Sequence, residues 1–198
     1  MKIYDISQAV FGCEVYPGDP APRKELVSSI DGGELYNLTV FTMCAHNGTH
    51  VDAPSHFLES GDTVSEMELS RVVGYAYVIA HEGEISGNDA RDILAKASAV
   101  CPEAAKRILI AGRATVTLEA AQTFADSGIL LIGNESQSVG PEDAPMAVHT
   151  TLLSREIALL EGIRLGGIPE GKYLLSAVPL LLNGCDGAPC RAVLISLE

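Results

Sequence analysis

The chain has 198 residues, 47% of them hydrophobic, and carries 26 acidic against 13 basic side chains, a formal net charge of −13. That length and apolar content suffice for one sizeable core, and no Pro/Gly/Ser-rich linker divides the chain, so a single domain over residues 1–198 is expected. The negative excess without a basic tract argues against nucleic acid or anionic membrane as partners. No apolar run approaches the roughly 18 residues of a spanning helix, and the N-terminus lacks the basic and apolar regions of a signal segment, which predicts a soluble, cytoplasmic protein.

The first 45 residues read as strand and turn, with "ELYNLTVFTMCAH" (34–46) rich in β-branched and aromatic residues. "VVGYAYVIAH" (72–81) has the composition of a buried strand. "SGNDARDILAKASA" offers Ser86 or Asn88 as a helix N-cap and sets Ile93, Leu94 and Ala97 on one face. "KRILIAG" is then a strand, and "TLEAAQTFADSG" a helix capped by Thr117 and stopped by Gly128. "ILLIG" (129–133) is another strand. Short apolar strands alternating with helices of about 10 residues predict an α/β fold with part of the sheet covered on both faces. The last 30 residues again read as strand and turn, so the termini are expected to build a mixed sheet or a second β layer.

Five cysteines (Cys13, Cys44, Cys101, Cys185, Cys190) make an odd set with no CxxC pair, which suits reduced thiols in a cytosolic protein. Cys44, two residues before His46, is the one nearest to candidate chemistry. His81, alone at a strand end, reads as an ordinary edge residue.

The chemistry concentrates in "AHNGTHVDAPSHF" (45–57), where His46, His50, Asp52 and His56 all fall on even positions. An extended chain would project them from one face but spread them over about 33 Å, so the chain has to bend. Gly48 and Pro54 lie between the histidines and permit that bend. Asn47, Gly48, Thr49 and Val51 make a poor helix, which favours a bent strand or loop over a helical His46/His50 pair. Imidazole and carboxylate without thiolate are the ligands of a catalytic zinc-type site, in which bound water becomes a nucleophile near neutrality. The competing reading is a loop of partly exposed histidines satisfied by local hydrogen bonds.

The string "HNGTHVDAPSH" resembles the HxGTHxDxPxH signature of the metal-dependent cyclase family, which includes bacterial kynurenine formamidases and isatin hydrolases. "DIS" with "YPGDP" near the start, "LIGNESQSVGP" before a histidine and "GAPCRAVLI" near the end are similar to further landmarks of that family, in the same order. The resemblance implies an α/β single domain with a mixed sheet in β/β/α layers, of the swivelling-domain type. It implies that His46, His50 and Asp52 are metal ligands, that His149 and Glu161 complete a two-metal site bridged by Asp52, and that His56 moves protons. Isatin hydrolases hold one metal and have an amide where the second carboxylate would be, so Glu161 favours two ions, zinc first and manganese as the alternative. A homodimer is implied as well, with N-terminal residues of one subunit approaching the partner's site.

The second ligand pair can be tested against geometry. A continuous helix from His149 to Glu161 would hold them about 18 Å apart. If "HTTLLSRE" is helix and "IALLEGI" a returning strand, a reversal near Arg155 and Glu156 brings them together; the competing reading is one amphipathic helix closed by Gly162.

The family's chemistry implies hydrolysis of a small amide by metal-bound hydroxide, with His56 carrying the proton from water to the leaving nitrogen. For a kynurenine formamidase the substrate is N-formylkynurenine and the products are kynurenine and formate. Without tryptophan, the candidates to stack on its ring are Phe11, Tyr16, Tyr36 and Phe57. An isatin-type or other ring-opening hydrolase is the enzymatic alternative. Outside catalysis stand a metal-binding module, expected to lack the proton carrier, and an interaction protein, expected to bind no stoichiometric metal.

Overall fold

The computed structural model describes residues 1–197; Glu198, the last residue of the C-terminal strand-and-turn reading, lies outside them. In chain order the strands are β1 (Lys2–Asp5), β2 (Arg23–Ser28), β3 (Leu38–Thr42), β4 (His50–Asp52), β5 (Val73–Ala80), β6 (Gly83–Ile85), β7 (Arg107–Ala111), β8 (Ala114–Val116), β9 (Leu131–Asn134), β10 (Ala158–Glu161), β11 (Gly171–Ser176), β12 (Gly187–Pro189) and β13 (Val193–Ser196). The helices are α1 (Gly87–Val100), α2 (Leu118–Ser127) and α3 (Met146–Leu153).

A sheet in the order β1-β13-β11-β5-β7-β9-β10-β4-β12 organises the molecule. Its centre, β5-β7-β9-β10, is parallel, and each crossover carries one helix. The wings pair antiparallel and come from the two ends of the chain, so the termini extend one mixed sheet. Strands β2 and β3 form a separate hairpin, and β6 pairs with β8.

Alternation along the central strands divides the apolar side chains between two cores. Ile108, Ile110, Ile132 and Leu159 face α1, α2 and α3. Leu109, Leu131 and Leu160 face the other way, in one cluster with Val51 of one wing and Leu194 of the other. Residues from both wings can share a cluster because the sheet curls around it, which gives two β walls beneath the helical layer. Phe124 of α2 is fully buried in the helix-side core, where truncation to alanine costs about 3–5 kcal/mol.

The helix boundaries follow their caps. Ser86 Oγ accepts from the Asp89 amide while the Asp89 carboxylate accepts from the Ser86 amide, a reciprocal capping box. Ser86, not Asn88, is therefore the cap, and Ile93 and Ala97 are buried with Leu94 packed beside them. Thr117 Oγ1 accepts from the Ala120 amide, and Gly128 ends α2 in the left-handed region.

The reversal after α3 is present. Glu156, with φ +56°, is the one non-glycine residue with positive φ among the described residues. The Arg71 guanidinium donates to both its carbonyl and its carboxylate. A left-handed conformation costs an ordinary residue about 1–2 kcal/mol, and the Arg71 bonds offset part of it. The single-helix alternative for 149–161 is thereby set aside.

Candidate metal centre

Strand β4 lies between β10 and β12, and its register decides the site. His50 is opposite Glu161 of β10 and Pro189 of β12, and Asp52 is opposite Leu159 and Gly187. Because Val51 and Leu160 turn into the second core, His50, Asp52 and Glu161 project from the other, helical face, where α3 supplies His149. His46 approaches from the preceding turn, whose Gly48 is left-handed at φ +72°, and His56 from the 3-10 turn Pro54–His56. The bent-strand reading of 46–56, with its bends at Gly48 and Pro54, agrees with this path.

Three triads of ligand atoms result among the described residues, each with its atoms within 4.8 Å of one another: His46, His50 and Asp52, then Asp52, His149 and Glu161, which share Asp52, and a less buried group of His46, His56 and Asp186. Asp52 Oδ1 is 2.9 Å from His46 Nδ1 and 3.4 Å from His50 Nε2. Glu161 places Oε2 at 3.3 Å from His50 Nε2 and Oε1 at 3.2 Å from His149 Nε2, while Asp52 Oδ2 is 3.8 Å from His149 Nε2. His50, Asp52, His149 and Glu161 are all buried.

The outer nitrogens of the buried imidazoles are tied down. His50 Nδ1 donates to Gly48 O at 3.0 Å and His149 Nδ1 to Pro145 O at 2.9 Å, which leaves both Nε2 atoms facing the carboxylates, where a proton or a cation can stand between them. The Val139 amide donates to Glu161 Oε1 at 2.8 Å. Thr49 Oγ1 donates to Gly162 O at 2.7 Å and locks β4 to β10 beside the cluster. His50 Nε2 and Asp52 Oδ2 are buried without a hydrogen-bond partner among the described residues. Such atoms are costly unless something satisfies them.

Electrostatics report the same imbalance. Burial alone would favour neutral His50, but the carboxylates of Asp52 and Glu161 outweigh it and lift its pKa well above 6.5. His46 rises against its own burial to about 9 through Asp52, and His149 rises through Glu161. Burial would raise Asp52, yet the His46 and His50 imidazoles hold it well below the usual aspartate value. The cluster thus has more acceptor than donor capacity, and a divalent cation would satisfy it in place of protons. Nitrogen and oxygen donors in two triads sharing one carboxylate fit such an ion.

His56 stands beside the triads. Its ring stacks on His46 with centroids 4.0 Å apart and meets the Phe57 ring edge-on at 4.5 Å. Burial pushes its pKa below 6.5 despite the nearby Asp52 charge. Phe57 also lies 4.7 Å from the His149 ring, so it borders the cluster.

The other aromatic candidates lie further out. Tyr16 lines a cavity of about 590 Å³ together with Arg113, Gln137, Ser138 and Arg164, and its hydroxyl donates to Glu142 O. This cavity shares the 135–140 loop with the cluster, since that loop supplies the Val139 amide. Phe11 packs edge-on against Phe41 of the β2–β3 hairpin, and Tyr36 is exposed near the start of β3. Cys44 lies outside all three triads, its thiol 3.7 Å from Asp19 Oδ2, and His81 bonds the Glu84 carbonyl at the surface. All five cysteines are free thiols.

Asp186 is the site residue that sequence reasoning missed. Its Oδ2 is 2.8 Å from His46 Nε2 and 3.2 Å from His56 Nδ1. Its only signal is position, one residue ahead of the "GAPCRAVLI" landmark; an acidic residue before glycine otherwise reads as a turn.

The model of the Cyclase family matches residues 4–141. The chain belongs to the cyclase family. The family match runs from β1 to the loop before α3 and includes the first triad, whereas His149, Glu161 and Asp186 lie beyond it. Relatives within and around this cyclase family extend the similarity to the whole chain. The kynurenine formamidase of Erythrobacter litoralis is 32% identical over 99% of this chain and 94% of its own length. That of Salinibacter ruber is 34% identical over 98% and 97%. A solved structure described as a potential metal-dependent hydrolase with cyclase activity superposes with a TM-score of 0.83 at 27% identity, covering 100% of this chain and 98% of its own. Isatin hydrolase A from Labrenzia aggregata, at 21% identity and a TM-score of 0.82 over 100% and 94%, shares the cyclase fold.

Proposed function

We propose that this protein is a metal-dependent hydrolase of a small amide, acting on a carbon–nitrogen bond other than a peptide bond, with N-formylkynurenine cleaved to kynurenine and formate. The observation that carries the reading is the shared Asp52 between two triads whose imidazoles face carboxylates, His46 through Nδ1 and His50 and His149 through Nε2, with His50 Nε2 and Asp52 Oδ2 left without a hydrogen-bond partner among the described residues. The curated kynurenine formamidases of similar length support the substrate. The reading takes residues 1–198 as one hydrolase domain.

His46, His50 and Asp52 would hold one divalent ion, and Asp52, His149 and Glu161 a second, with zinc the proposed metal and manganese served by the same donors. When bound, the ions supply Lewis acidity toward a carbonyl oxygen and make water acidic near neutrality. The chain's own part is then orientation and proton transfer. Gly48 O and Pro145 O hold His50 and His149 in the tautomer that presents Nε2. His56, with Nδ1 on Asp186, keeps Nε2 to take the proton from the attacking water and return it to the leaving nitrogen, so that water and amide become carboxylic acid and amine. Phe57 offers the nearest apolar ring to a substrate arene.

A homodimer is part of the proposal. The β2–β3 hairpin exposes Leu26, Ile30, Leu38, Val40 and Phe41, each between 47% and 57% accessible, with Leu26 and Phe41 on one face and Leu38 and Val40 on the other, apolar surface that a second subunit would cover. Phe11 packs on Phe41 of this hairpin and Tyr36 is exposed just ahead of β3, so a substrate role for them would be exerted at the partner's site. No helix among the described residues is long and apolar enough to cross a membrane, which fits the proposed cytoplasmic setting.

The test is a side-by-side assay of metal-replete and chelator-treated protein on N-formylkynurenine, isatin and simple aryl formamides, with elemental analysis of the same samples. N-formylkynurenine cleaved fastest, with loss on chelation and two ions per chain, is the expected result. Fastest cleavage of isatin would reassign the protein as a ring-opening hydrolase; metal without turnover would make it a binding module.

A further inference from the structure

Asp186 sits in the turn leading into β12, at a position fixed by backbone pairing. The Ala53 amide donates to Asp186 O at 2.9 Å, and the next residue, Gly187, pairs with Asp52. Gly187 lies so close to the first triad that a Cβ there would stand 2.8 Å from His46 Cε1. The turn is therefore pressed against the imidazole, and no side chain other than hydrogen fits at 187 without a shift.

One carboxylate oxygen from this turn meets two stacked imidazoles, His46 through Nε2 at 2.8 Å and His56 through Nδ1 at 3.2 Å. A carboxylate only accepts, so both imidazoles carry their protons on the atoms that face it. For His46 this leaves Nδ1, 2.9 Å from Asp52 Oδ1, as the nitrogen that would give up its proton to a cation; for His56 it leaves Nε2 as the base. We propose that Asp186 is a positioning residue that sets the tautomer and orientation of His46 and His56 together, so that one carboxylate couples a metal ligand to the proton carrier. The inference rests on the hydrolase reading above and adds a residue to it. The Asp186 side chain is 48% exposed, which limits its structural role.

The conservative variant Asp186→Asn decides the matter. A carboxamide oxygen standing where Oδ2 stands could still accept from both imidazoles, but it carries no charge, and its NH2 can rotate into the same place and donate, so neither tautomer is held as firmly. In folded D186N protein, zinc affinity measured by chelator competition is expected to fall about 10- to 100-fold, the range for losing an outer carboxylate partner of a ligand histidine. At saturating zinc, kcat should fall at least about tenfold with KM changed less than about twofold, because orientation of the proton carrier acts on the chemical step. Long-range ¹H–¹⁵N spectra should show His56 as the Nδ1–H tautomer in wild type and as a mixture in D186N. Wild-type zinc affinity or wild-type kcat in a folded variant overturns the inference. D186A, with the same readouts, serves if D186N does not fold. Failure of the parent reading looks different: the wild-type protein would take up no zinc.

Discussion

The two triads sharing Asp52 are built in opposite ways. The first takes all its ligands from seven consecutive positions, 46 to 52, and includes a partly exposed histidine; the second joins residues from β4, α3 and β10, all buried. The first depends on a local bend at Gly48, whereas the second depends on a strand register and on the reversal at Glu156. A local half survives small shifts of the scaffold, and an assembled half does not. The two halves should therefore fail separately under substitution, except at the shared Asp52, whose Oδ1 faces the first and Oδ2 the second.

The shared carboxylate is the place to break both. Asp52→Asn should bring metal content below one ion per chain and lower kcat/KM by about 10³-fold or more, the scale of removing a principal electrostatic group from an active site. Steady-state kinetics with elemental analysis checks this; retention of both ions in D52N would refute a bridging role. His56→Ala separates chemistry from metal: turnover should drop about 10²- to 10⁴-fold with two ions retained. Equal loss of metal and turnover would move His56 into the ligand set.

Glu161→Gln addresses chiefly the assembled half, although Glu161 Oε2 also stands 3.3 Å from His50 Nε2. One ion should remain on the first triad, the second should be lost, and kcat should fall by roughly 10- to 100-fold. Next in size is Arg71→Ala, which removes the bonds that hold the reversal at Glu156. We expect about 1 kcal/mol of destabilisation, since Glu156 is 62% exposed and water screens the pair although Arg71 is mostly covered, read as a fall in Tm of about 2–4 °C. His46 and His50 should retain their ion.

This contrast also explains what could be read in advance. His50 and Asp52 were legible as a pair because a strand places alternate residues on one face, whereas His46 needed the bend allowed by Gly48 and the ligand set as a whole came from the resemblance of "HNGTHVDAPSH". Thr117, Gly128 and Ser86 marked helix ends for the same local reason. His149 and Glu161 needed a turn that periodicity alone left open, and the resemblance supplied it. Asp186 was beyond reach, because its partner His46 is 140 residues away and only the pairing of β12 with β4 brings them together. The assignment of both termini to the edges of one sheet likewise depends on long-range pairing that composition does not encode.

The smallest effect lies at the most local contact. The hydrogen bonds from Ser86 hold the Asp89 carboxyl below its ordinary 3.8. A depressed carboxylate stabilises the fold above its ordinary value, and that contribution is lost as pH falls through the folded value. The stability difference between wild type and Asp89→Ala should therefore be present at neutral pH and vanish as pH falls through the depressed folded value, as measured by urea titration across pH. A difference that persists in acid would assign the capping effect to something other than the carboxylate charge.

The pairing of β4 between two neighbours imposes a rule on how this chain can change over time. Inserting or deleting a single residue between Gly48 and His50 would send His50 and Asp52 into the oily interior and turn Val51 outward, whatever the identity of the side chains. Point replacements around the strand leave that parity intact. Drift in substrate preference is therefore expected to proceed by exchange of side chains and by growth of outlying loops such as the β2–β3 connection, while the spacing of the histidine segment stays frozen.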